Sequence, residues 1–138
     1  MDHLFGLVLR YLLVFTMTAA SAWFVLQGRS AGDILHMGAL VMAATAALPG
    51  VYTGGYFARR AGCVPKRLEA FWVCFIMVSV SLFLLFPVLL SVGALDVLAM
   101  PSAGGLLMMG AVLLCAYVGL TWMFFRMGAW GYLKLIRK

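Results

Sequence analysis

The sequence predicts an all-α integral membrane protein, a four-helix bundle in one domain (residues 1–138) with both termini cytoplasmic. Three observations predict it. First, of 138 residues 66% are hydrophobic and only 10% charged, with a mean hydropathy of +1.11. A soluble domain carries roughly 25% charged residues, so a chain this small and this apolar has too little charge to cover its surface in water. Second, the stretches Ile34–Ala58 and Ala70–Leu95 contain no Lys, Arg, Asp or Glu, and about 20 apolar residues suffice to cross a bilayer as a helix. Third, the segment between them holds Arg59, Arg60, Lys66 and Arg67, four of the ten Lys/Arg, with a single acid, Glu69. That is the basic turn of a membrane hairpin, and its charge assigns it to the cytoplasm.

The spans follow in order. Span one is expected over about 5–27, with Arg10 one turn inside and able to snorkel to the headgroups. Its uncharged run from Tyr11 to Gly28 exceeds the apolar core of a signal peptide, so it reads as a retained span. Asp33 is placed to cap span two, about 34–58, because a carboxylate accepts from the free N–H groups of a helix start. This span is rich in small residues: Ala39, Ala43 and Ala47 form one ladder, and Ala46, Gly50, Gly54 and Ala58 another. Small residues at four-residue spacing let helix backbones approach where lipid gives no hydrophobic drive for association. Such a ladder serves packing within the monomer or contact with a second chain. Pro49 lacks an N–H and crowds the Thr45 carbonyl, which predicts a kink.

Pro65 suits the opening of span three, about 69–95, and Glu69 in its first turn favours the helix dipole. After a nearly neutral link, span four is expected over about 102–125, with Ala111, Cys115 and Gly119 as a third small-residue ladder. The segment 126–138, which carries Arg126, Lys134, Arg137 and Lys138 among aromatic residues, has the composition of a headgroup-level anchor. Four spans place this tail on the same side as the 59–69 turn, so both basic segments satisfy the positive-inside rule.

Chemistry is sparse. Ionisable residues deep in a span mark function by default, yet Asp33, Glu69 and Asp96 all sit at span ends. That argues against a proton-coupled exporter, which needs an intramembrane carboxylate. His36 lies one turn into span two, but His3 is on the opposite side, so no metal or haem ligand set is formed. Cys63, Cys74 and Cys115 are too dispersed for a redox pair or a disulfide framework, so Cys74 and Cys115 are expected to be buried small hydrophobes; neither a nucleophile–base pair nor a phosphate-binding loop is present. The expectation is a non-enzymatic protein with no cofactor. The net charge of +6 belongs to topology, and no nucleic-acid partner is implied.

The Arg10-Tyr11-Leu12-Leu13 run, the small-residue second span and the turn Arg59-Arg60-x4-Pro65-x3-Glu69 together resemble a family of uncharacterised small bacterial four-helix inner-membrane proteins. The resemblance covers roughly residues 8–90 and departs at Val64, where another base is expected. Some proteins of that kind lie beside genes for secreted toxins, which implies an immunity protein that neutralises a membrane-targeting toxin in the bacterial inner membrane. The expected partner contacts are Ala46, Gly50 and Gly54, or the outward ends near His36 and Asp96. A homodimer, a small channel or transporter, and an accessory subunit of a membrane complex are the alternatives.

Overall fold

The computed structural model describes residues 2–26, 31–91 and 103–136. They form four helices: α1 (Asp2–Leu26), α2 (Ala31–Ala61), α3 (Arg67–Ser91) and α4 (Ala103–Ile136). The all-α bundle expected from the sequence is what forms. Three of the helices contain stretches long and apolar enough to cross a membrane: Leu4–Val25, Arg67–Leu84 and Gly110–Ile136. The 31-residue α2 is long enough but is the least apolar of the four, because its second half carries Gly50, Gly54, Gly55, Tyr52, Tyr56, Thr53 and the Arg59–Arg60 pair. At most 33% of any of the three stretches is buried inside the bundle. Exposed Phe5, Phe24, Leu40, Leu68, Phe83, Met108 and Leu135 therefore need lipid, not water, as their surroundings.

Around the bundle the order is α1–α2–α4–α3. The largest interface joins α2 to α4; among the described residues α1 does not adjoin α4, nor α2 adjoin α3, through the backbone. Up-and-down connectivity makes α2 and α4 run parallel. Side chains nevertheless meet across the centre, where Phe15 stands edge-on to Tyr117 with ring centroids 6.5 Å apart. The buried core is Tyr11, Phe15, Ala46, Ala70, Val73, Cys74, Met77, Val78, Tyr117, Val118 and Phe125.

The α2–α4 seam is built on missing side chains. A Cβ added to Gly54 would strike the Phe125 backbone, 2.7 Å from its carbonyl carbon, and one added to Gly128 would strike Val51, 2.8 Å from its Cα. Gly50 faces the Thr121 carbonyl at 3.1 Å by the same measure. Ala46 and Ala58 are buried on the same stripe of α2, and Phe57 closes it against Phe125 at 5.9 Å.

Three expectations are corrected here. Gly50 and Gly54, named as partner contacts, instead lie against α4 of the same chain, with Ala46 buried on the same stripe, so of the two uses the ladder offered the structure shows packing within the chain. Cys115, expected to be buried, is exposed, because its ladder with Ala111 and Gly119 faces outward, with nothing near a Cβ at Gly119; α4 turns Tyr117, Thr121, Phe125 and Gly128 inward instead. Finally, α4 does not stop near 125 but runs 34 residues to Ile136. No proline interrupts the tail, and helix hydrogen bonding does not depend on the membrane boundary.

The turn is compact. Gly62, at φ 67°, takes the left-handed conformation that ends a helix, and its N–H donates to the Ala58 carbonyl at 2.9 Å. Pro65 is buried, and the first turn of α3 closes where the Ala70 N–H donates to the Lys66 carbonyl at 2.9 Å.

Candidate functional site

Among the described residues the cations collect at one end of the bundle. Arg59 and Arg60 occupy the last turn of α2 and Glu69 the first turn of α3, and Arg59, Arg60, Lys66, Arg67 and Glu69 are all exposed. The turn thus presents four cations and one carboxylate to solvent. To these the fold adds Arg10 from α1 and Arg126 and Lys134 from α4.

Aromatic rings hold these added cations. The Arg10 guanidinium carbon lies 4.0 Å from the centre of the Tyr56 ring, and Arg60 lies 5.6 Å from the same ring. An Arg10 Nη1–H also donates to the Tyr52 hydroxyl at a long 3.5 Å. On α4, Arg126 lies 5.6 Å from the Trp122 ring and Lys134 4.8 Å from Trp130, each cation one helical turn beyond its aromatic partner. The Trp122 indole N–H donates to the Arg67 carbonyl at 3.2 Å, which ties α4 to the start of α3. A cation over a ring within about 6 Å is attracted by the ring quadrupole, by roughly 0.5–1 kcal/mol at exposed positions. Together the pairs form an aromatic, positively charged collar, the arrangement that suits a headgroup layer.

Sequence reasoning found the turn but missed Arg10 as part of the same assembly. The signal was present: Tyr52, Tyr56 and Arg60 repeat every four residues and so share one face of α2. What the spacing could not show is that α1 sets Arg10 against that face.

A second polar feature lies deeper. The hydroxyls of Tyr11, Tyr117 and Thr121 are buried without a hydrogen-bond partner. The Tyr11 hydroxyl neighbours those of Thr121 and Tyr117, and Tyr117 neighbours Thr45. Other buried hydroxyls are satisfied by their own helix: Thr45 donates to the Val41 carbonyl at 2.8 Å, Thr53 to Pro49 at 2.6 Å and Ser81 to Met77 at 2.8 Å. Each such bond closes a local ring and leaves no demand on a neighbour. Tyr11, Tyr117 and Thr121 form a small polar centre that the helices do not satisfy themselves.

Of the other expected contacts, His36 falls in α2 with its side chain outside the described residues, and Asp96 lies outside them altogether. Among the described residues no cluster of His, Cys, Asp and Glu is arranged to hold a metal ion. The chain is a helical membrane protein with a cationic, aromatic end. Comparison with family models, curated proteins and solved structures gave no match.

Proposed function

We propose that this is a non-enzymatic protein of a bacterial inner membrane that works by binding another membrane protein, as an immunity protein neutralising a membrane-targeting secreted toxin. Its cationic end and both termini lie in the cytoplasm, as the positive-inside rule requires of a bundle with Arg10, Arg59, Arg60, Lys66, Arg67, Arg126 and Lys134 at one end. One observation carries the binding role. On α3, Phe71, Trp72 and Phe75 stand exposed and pack on one another, with centroids 6.0–6.5 Å apart. A preassembled aromatic surface on a helix whose buried face, among the described residues, is Ala70, Val73, Cys74, Met77, Val78 and Ser81 suits a transmembrane segment of the toxin. The Gly50/Gly54 ladder cannot serve, being occupied by α4.

The test is co-expression with the product of the adjacent gene, scoring growth and membrane potential. Protection is expected with the native chain and is expected to fall when Phe71, Trp72 and Phe75 are replaced by Leu, with membrane insertion retained. A harmless neighbour, or full protection by the triple variant, defeats the proposal or its surface respectively.

A second reading, a small channel or transporter, is favoured by the unsatisfied hydroxyls of Tyr11, Tyr117 and Thr121. It requires solute or ion flux in liposomes holding the purified protein, and that flux should fall in Tyr11→Phe and Tyr117→Phe.

A further inference from the structure

Two guanidiniums share one tyrosine ring. Because Arg10 and Arg60 lie 4.0 and 5.6 Å from the centre of Tyr56, their separation does not exceed the Debye length of about 10 Å at 0.1 M salt. Salt of that strength only partly screens their repulsion. Among side chains the structure describes, the only carboxylate is Glu69, exposed on α3, and none contacts either guanidinium. Two cations from different helices, held by one ring and without a carboxylate partner among the described side chains, suit an anionic ligand.

The helix surfaces leading from this point say which anion. On α1, Arg10 is followed at helical spacing by Leu13 and Met17, 56% and 64% exposed. On α2, Arg60, Tyr56 and Tyr52 continue to Leu48, 56% exposed. Both stripes pass from a cation to exposed apolar side chains as they enter the membrane, the α2 stripe by way of Tyr56 and Tyr52. A molecule matching that order has an anionic head and an aliphatic tail. Guanidinium forks bind phosphate oxygens in pairs, and Tyr52 adds a hydroxyl beside them.

We propose that Arg10 and Arg60, positioned by Tyr56, form a binding site for the phosphate of an anionic phospholipid whose acyl chains lie along Leu13, Met17 and Leu48. The site rests on the membrane setting of the bundle and is independent of the toxin, so failure of either proposal leaves the other standing.

The experiment is a lipid titration of the purified full-length protein by native mass spectrometry, with phosphatidylglycerol against phosphatidylcholine, repeated with millimolar inorganic phosphate as competitor. The native chain should prefer phosphatidylglycerol. Arg10→Gln and Arg60→Gln should each weaken it roughly fivefold and the pair roughly 30-fold, the equivalent of about 1 kcal/mol per basic group at an anionic surface. Phosphatidylcholine binding should not change. Tyr56→Phe, which keeps the ring, should bind as the native chain does, whereas Tyr56→Leu should weaken binding. Arg59→Gln and Lys134→Gln, at the same end but off the ring, should change it less than twofold. Equal losses in these two controls would reduce the site to diffuse charge and overturn the proposal. So would equal binding of the two lipids, or displacement of phosphatidylglycerol by inorganic phosphate, which would mark a free-phosphate site.

Discussion

Adding one methyl group at Gly54 should loosen the bundle, while the same methyl at Gly131 should tighten it. At Gly54 the new Cβ would sit 2.7 Å from the Phe125 carbonyl carbon and 3.0 Å from its Cα, where carbon atoms prefer about 3.5–4.0 Å. Every obstructing atom is backbone, so no rotamer change clears the space; α2 and α4 must part by roughly 1 Å, enough to forfeit a quarter to a half of each contact along the seam. Overpacking of this kind costs about 1–3 kcal/mol, and an unyielding backbone puts Gly54 at the upper end. Alanine recovers about 1 kcal/mol through helix propensity, leaving Gly54→Ala destabilised by about 2 kcal/mol. A Cβ at Gly131 meets nothing within 4 Å, so Gly131→Ala keeps the propensity gain of about 1 kcal/mol. The two variants should therefore differ by about 3 kcal/mol, more than a hundredfold in the folding equilibrium. Unfolding of the purified protein in mixed micelles by added SDS, followed through tryptophan fluorescence, measures the difference. If Gly54→Ala proves as stable as Gly131→Ala, the close α2–α4 seam is wrong.

Further outcomes can be checked alongside. Gly128→Ala should cost about as much as Gly54→Ala, and the double variant less than their sum, since helices already parted relieve the second clash; strict additivity in the same SDS titration would mean two separate contacts. Tyr11→Phe and Tyr117→Phe each remove a buried hydroxyl without a partner, so stability should stay level or rise by up to about 1 kcal/mol. A loss of 2 kcal/mol in either would show that the hydroxyl is bonded, for example through an internal water. The exposed Cys63 in the turn should react with a membrane-impermeant maleimide in inverted vesicles and not in intact spheroplasts, while buried Cys74 stays unlabelled in both. Labelling of Cys63 from outside would reverse the orientation.

Much of the architecture could be read from the chain because bilayer crossing is a demand on composition. Uncharged runs located α2 and α3, and the cluster Arg59–Glu69 located their turn. Helix ends were less visible: α4 continues through Arg126, Gly128 and Lys134, since hydropathy reports where lipid ends and not where hydrogen bonding ends. Small-residue spacing was ambiguous for a related reason. Ala46/Gly50/Gly54 and Ala111/Cys115/Gly119 look alike as patterns, yet only the first is buried, because spacing defines a face and not what that face meets. Gly128, the residue of α4 that receives Val51, stood in what read as a terminal anchor. The cationic end divided in the same way. The turn was evident from charge, whereas the Arg10–Tyr56–Arg60 grouping depends on how α1 is rotated against α2.

The seam between α2 and α4 also governs how the protein is made. Its contacts, Gly54 with Phe125 and Val51 with Gly128, join positions roughly seventy residues apart, a long-range closure that must wait until the intervening chain exists. During synthesis α2 enters the membrane with its glycine face open, and its partner surface is completed only when the last residues of α4 leave the ribosome. Until then that face is exposed to any passing helix with small residues of its own. A nascent chain halted after α3 would lack the helix that closes this face, and quality-control proteases would have a defined interval in which to find it.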